Sequence, residues 1–153
     1  MWKGKGGPLQ IIGNSPGRVI VALFASNVSR IQQIINIIKD GHRKILFNGR
    51  SIELSVRVAR QLGLLQIPEN MEIMIEDLET CPEEEVMILT TGSQGEPMSA
   101  LARMSTGIHK QVKIKPGDTV VLSSKFIPGN EKAIAKIINN LFRRGANVIY
   151  EKI

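Results

Sequence analysis

Residues 19–38 read VIVALFASNVSRIQQIINII, an apolar run that passes through a polar turn into a pattern of different period. Residues 19–24 are apolar without alternation, as expected of a strand covered on both faces. Ile31, Ile34, Ile35 and Ile38 then recur at helical spacing and form one apolar stripe. Asn27, Ser29 and Arg30 lie at the junction, where a helix start favours side chains that accept from free amides. Buried strand, polar turn, amphipathic helix is the building unit of a parallel α/β sheet.

The unit returns along the chain. Residues 44–47, 86–89, 120–122 and 148–150 read as further buried strands, and 71–75 and 111–114 as short additional ones, the second an edge strand. A helix over 51–62 uses Ile52, Val56 and Ala59 and stops at Gly63. Another runs from Pro97 to about Met104, with proline where its missing N–H costs little. The last carries Ile134, Ile137, Ile138, Leu141 and Phe142 and ends before Gly145. These alternations predict an α/β, three-layer Rossmann-like sandwich: a mainly parallel sheet with helices on both faces. Every strand-to-helix loop then meets at the carboxyl edge, where ligands bind in this architecture.

The chain has 153 residues, 42% of them hydrophobic, which suits one compact domain. We place it at 18–153. Residues 1–17 hold five Gly and two Pro without periodicity and read as a linker, a flexible terminus or an artificial junction. Twenty Lys and Arg against 14 Asp and Glu give a formal charge of +6, dispersed rather than run together, which favours a folded basic surface facing a polyanion. The single Cys81 excludes an internal disulfide. With no signal peptide and no apolar run of about 18 residues, a cytoplasmic protein without a membrane partner is expected. Four Phe, one Trp and one Tyr leave little for RNA binding by several stacking aromatics.

Candidate chemistry sits in four loops. Thr91, Gly92, Ser93, Gln94, Gly95 and Glu96 follow a buried strand and offer glycines, hydroxyls and amides, a composition that fits either a phosphate cradle or a tight turn. The run lacks the Gly-Lys-Ser/Thr ending of a nucleotide-binding loop. Glu96 is expected either to orient a substrate group or, more simply, to stabilise an early helix position. Ser123, Ser124, Lys125 and Asn130 follow another strand, with Asn130 read as an N-cap. Asn27 with Arg30, and Arg50 with Ser51, complete the rim. The acidic stretch 76–85 reads as a solvated loop.

Five blocks together are specific: residues 24–33 (FASNVSRIQQ), 49–51 (GRS), 90–101 (TTGSQGEPMSAL), 114–120 (IKPGDTV) and 127–131 (IPGNE). In this order and spacing the chain resembles the β-CASP region of bacterial ribonuclease J, over about residues 18–151. The resemblance implies a metallo-β-lactamase-like half with two zinc ions, over which the β-CASP half closes to form an RNA channel. It also implies a following Ser-Gly-His-Ala segment at the 5′-phosphate pocket, beyond the residues present. No HxHxDH motif occurs, and His42 and His109 have no neighbouring ligand cluster, so no metal and no catalytic residue are assigned.

The leading expectation is therefore a module that grips RNA and docks on its metallo-β-lactamase partner domain. It is not an enzyme alone, while its parent is a zinc-dependent exo- and endoribonuclease of RNA processing. A homo- or hetero-oligomer is left open. Competing readings are the same piece of a non-catalytic scaffolding paralogue and, remotely, a flavodoxin-like mononucleotide-binding domain, which the bare strand-loop-helix pattern permits.

Overall fold

The computed structural model of the chain describes residue 12 and residues 14–150. Five strands, β1 (Val19–Ala22), β2 (Lys44–Phe47), β3 (Val86–Thr90), β4 (Thr119–Leu122) and β5 (Asn147–Tyr150), form one sheet in the order β2-β3-β1-β4-β5. Each neighbouring pair is parallel. Four α-helices connect them: α1 (Val28–Ile38), α2 (Arg50–Gln61), α3 (Ala100–Thr106) and α4 (Glu131–Arg143).

Alternate strand residues feed two cores, one on each face of the sheet. Val19, Val21, Ile45, Met87 and Leu89 pack with the stripe of α1 and with Ile52, Val56 and Ala59 of α2. Ile20, Ala22, Ile88, Val120 and Leu122 pack with Leu101 and Met104 of α3 and with Ile134, Ile137, Ile138 and Leu141 of α4. The three-layer α/β sandwich is thus present, with every strand parallel. Most of the 1–17 segment lies outside the described residues, although Ile12 is fully buried in the first core.

Several boundaries differ from the sequence expectation, each for a local reason. Residues 111–114 form no strand: the amides of Gln111 and Val112 both donate to the imidazole of His109 instead of to a neighbouring strand. The 71–75 segment contributes only an isolated parallel bridge between Glu72 and Ile45 before a single 3₁₀ turn at Ile75–Asp77. The third helix starts at Ala100 rather than Pro97, because Met98 takes a φ of 65° and Ser99 supplies the N-cap, accepting from the Ala102 amide. Phe142, expected in the core stripe of α4, is half exposed. The first strand closes at Ala22, and Phe24 already faces solvent.

At the amino edge the sheet is pinned by a buried fork. Arg18 Nε donates to Asp118 Oδ1 at 3.0 Å and Nη2 to Oδ2 at 2.7 Å, and Nη2 also reaches the Lys113 carbonyl. Asp118 Oδ2 accepts from the Lys115 amide as well, so one carboxylate joins the starts of β1 and β4 to the turn between them. Arg18→Met leaves that carboxylate without its cation and is expected to cost about 3–5 kcal/mol. The double change Arg18→Met with Asp118→Leu is expected to recover most of the loss. Urea unfolding of the three chains measures both; a single variant as stable as the parent would contradict the role of the fork.

Candidate functional site

The loops after β1, β2, β3 and β4 all lie at the carboxyl edge, and side-chain hydrogen bonds bind them into one rim. Gln94, almost fully buried, does most of this: its Nε2 donates to Ser124 Oγ (3.2 Å) and the Lys125 carbonyl (2.8 Å). Its Oε1 accepts from the Ile127 amide (2.9 Å) and from Asn130 Nδ2 (3.2 Å). The loop after β3 is thereby fixed to the loop after β4, across the end of β1 that lies between them. On the other side, Thr90 Oγ1 donates to the Asn48 carbonyl, and Asn48 Oδ1 lies 2.9 Å from His109 Nε2.

Glycine is required at the join with α4. Gly95 has a φ of 75°, and a Cβ there would stand 2.6 Å from the Ala133 carbonyl carbon and 2.7 Å from the Ile134 nitrogen. Gly95 therefore allows close packing on a helix backbone. Its own N–H donates to the Gly92 carbonyl, and that of Gln94 to Glu96 Oε1 at 2.7 Å. Of the two alternatives the composition left open, a phosphate cradle or a tight turn, these two amides serve the turn: both are spent inside the loop. Glu96 holds the loop amide of Gln94 and precedes the helix start, so it is not a helix-stabilising residue.

The same device recurs. Glu53 Oε2 accepts from the Gly49 amide at 3.2 Å, and Glu131 Oε2 from the Gly129 amide at 2.9 Å. At three turns of the rim, the chain's own carboxylates occupy the places where an anion would bind to main-chain donors.

Among the sequence candidates, Asn27 caps α1 by accepting from the Arg30 amide, and Arg30 makes a long contact to Gln33. Arg50 and Ser51 are exposed at the start of α2, Thr91 is half-buried, and Lys125 is exposed. Ser93 and Ser123 are buried with hydroxyls that have no partner. Asn130 makes no side-chain cap of α4; its amide group is committed to Gln94.

Sequence reasoning missed Arg103. Together with Gly49, Arg50, Ser51, Leu54, Thr91, Met98, Ser99 and Ala100 it lines a cleft of about 350 Å³ between α2 and α3. Its Nε is buried without an acceptor. Its place on α3 between Leu101 and Met104, both buried, does not by itself separate an arginine without an acceptor from one on a solvated helix. A second depression, lined by Phe24, Ser51, Thr91, Glu96, Pro97, Met98 and Ser99, shares four of these residues and runs on toward β1.

No group of three His, Cys, Asp or Glu side chains is placed to hold a metal ion among the described residues. His42 is exposed, and the second histidine is fully committed: His109 Nδ1 accepts two amides while Nε2 faces Asn48. These residues do not fit a two-zinc centre. Burial of His109, then the nearby Arg103 and Lys113, pushes its pKa below the ordinary 6.5. No helix among the described residues is long and apolar enough to cross a membrane.

Comparison with known proteins places these loops in context. Residues 16–141 match the family model described as ribonuclease J, beta-CASP domain. The chain is 49% identical over 140 residues to ribonuclease J of Mycobacterium tuberculosis and 45% identical over 141 residues to that of Thermus thermophilus. It is 44% identical over 137 residues to ribonuclease J2 of Bacillus subtilis. These alignments cover 92%, 92% and 90% of this chain and 25%, 24% and 25% of those proteins. The chain thus spans about a quarter of the length of the curated relatives it matches.

His109 gives the site a pH dependence. Because its folded pKa is depressed, the unfolded chain binds more protons below 6.5, and the stabilisation present above that pH is lost as pH falls toward the folded value. Unfolding free energy should therefore decline from pH 7 to pH 5, and decline less steeply in His109→Gln. Equal slopes for the two chains in urea titrations would show that the imidazole is not held neutral.

Proposed function

This chain belongs to the ribonuclease J β-CASP family, and on that premise we propose that its carboxyl-edge rim grips the backbone of single-stranded RNA for a ribonuclease J-like parent. The observation that carries the reading is the convergence of the family's sequence blocks. Residues 24–33, 49–51, 90–101 and 127–131, distant in sequence, follow strand ends at one sheet edge, where Gln94 ties the third block to the fourth, Thr90 donates to the Asn48 carbonyl beside the second, and Ser55 donates to the Ala25 carbonyl of the first.

The chemistry of that edge suits a polyanion without sequence preference. Arg30, Arg50, Arg103 and Lys125 supply cations, Ser51, Thr91 and Ser124 supply hydroxyls, and the chain carries a net charge of +6. Phosphate contacts of this kind position a strand irrespective of its bases. Cleavage in this account falls to a metal-bearing half of the parent, a metallo-β-lactamase-like domain on which the rim closes. The present residues orient the strand and exclude alternative paths for it. RNA processing and decay, by exo- or endonucleolytic action of that parent, is the corresponding role.

A labelled oligoribonucleotide titrated into the chain by fluorescence anisotropy tests the proposal. Affinity should fall as salt rises, with a log–log slope of roughly 0.7 per neutralised phosphate, and should vary little among sequences. Manganese or zinc should produce no turnover that follows the protein peak through repurification. Absence of binding at low salt, or binding indifferent to salt, would remove the rim from RNA recognition.

A further inference from the structure

We propose that Arg103 and Arg50 form a seat for one phosphodiester of single-stranded RNA in the cleft between α2 and α3, with the adjoining nucleoside resting over Met98 and Phe24. This inference rests on the RNA-binding reading above and assigns it to particular donors.

Arg103 is the anomaly from which it starts. A guanidinium carries five N–H donors in a rigid fork, and removing it from water without acceptors is costly. The other arginines that are not exposed have found theirs. Arg18 is paired with Asp118 and the Lys113 carbonyl. Arg43 donates to the carbonyls of Ile12, Ser15, Gly17 and Val86, and Arg30 to Gln33. Arg103 alone in this group has no side-chain hydrogen bond or ion pair among the described residues, and its Nε is covered all the same. Its positive charge is felt instead by His109. Arg103 is half-buried and only its Nε is covered, so its Nη donors stay open, and an acceptor from outside the chain would complete the fork.

The cleft specifies what that acceptor is. Arg50 lines the same cavity, as do the hydroxyl-bearing residues Ser51, Thr91 and Ser99, so an occupant with several oxygens in different directions is matched better than a single carboxylate. Glu53 and Glu96 accept from loop amides, and neither forms an ion pair with Arg50 or Arg103 among the described residues. The flank toward β1 is apolar: Met98 is 70% exposed and Phe24 38% exposed, beside Pro97. Met98 also occupies the left-handed region at φ 65°, a conformation disfavoured for a residue with a side chain, and it lines both depressions. Apolar surface beside a two-arginine seat fits a phosphate that brings a base with it.

Arg103→Met, Arg103→Lys and Arg50→Gln, with Arg143→Gln at the far end of α4 as control, test the assignment by anisotropy with a labelled oligoribonucleotide and by thermal unfolding. Arg103→Met should weaken binding by about ten-fold, the worth of charged hydrogen bonds, and lower the salt slope by roughly one phosphate contact. Its unfolding temperature should stay level or rise, because a cation without partners has been removed. Arg103→Lys should recover part of the affinity, since a point charge replaces a fork. Arg50→Gln should weaken binding in the same sense, and the control should match the parent. RNA binding by Arg103→Met equal to the parent's overturns the seat and leaves the rim reading standing; a parent that binds no RNA overturns both. A marked loss of stability in Arg103→Met shows a structural arginine and also overturns the seat. Inorganic phosphate or oligoglutamate that displaces RNA at equal concentration of anionic groups overturns the assignment to a nucleotide unit.

Discussion

Parallel pairing of all five strands is the constraint on which the remaining structure depends. A parallel strand can follow another only through a crossover, so each turn that leaves a strand for a helix emerges at the same edge. The two edges then acquire different work. At the amino edge, buried guanidinium groups close the sheet: the Arg18 fork joins β1 to β4, and Arg43 gathers carbonyls from the incoming chain and from Val86. The carboxyl edge is left for loops whose donors need not all be consumed by the fold.

How those donors are allotted decides the chemistry. Glycine-rich turns beside helix starts normally offer amides to anions, yet here Glu53, Glu96 and Glu131 each take one such amide. The carboxylates tie these turns internally, so that in the proposed reading the side chains projecting beyond the turns do most of the work of meeting a phosphate. Gln94 keeps the turns in register with one another through four hydrogen bonds. The rim is thus cross-linked by side-chain hydrogen bonds, an arrangement that favours pre-organised contact with a flexible strand.

Much of this was legible in the sequence. Apolar runs of strand length and the isoleucine stripe of α1 gave the layers directly, because burial on both sheet faces leaves no polar residue inside the strands. The four loops could likewise be placed on one edge before any coordinates, and the motif blocks pointed to the family. Other features depend on partners remote in sequence. His109 withholds residues 111–114 from the sheet through two amides and lies beside Asn48, sixty-one positions away. Gly95 looked like a phosphate-loop glycine and proves to face the backbone of α4. Arg103 was one basic residue among twenty, and nothing local distinguishes an arginine with no acceptor from one on a solvated helix.

The central claim is that anion recognition belongs to the carboxyl edge and to its side chains. Backbone amide and arginine side-chain shifts of isotope-labelled chain, followed by NMR during titration with a short single-stranded RNA, locate the contact directly. The account predicts the largest changes at residues 24–30, 49–54, 91–103 and 123–130, with the Arg103 Nε–H resonance moving early in the titration. Changes centred instead on the basic amino edge, at residues 39–44 and 113–117, with the Arg103 signal unmoved, would contradict it.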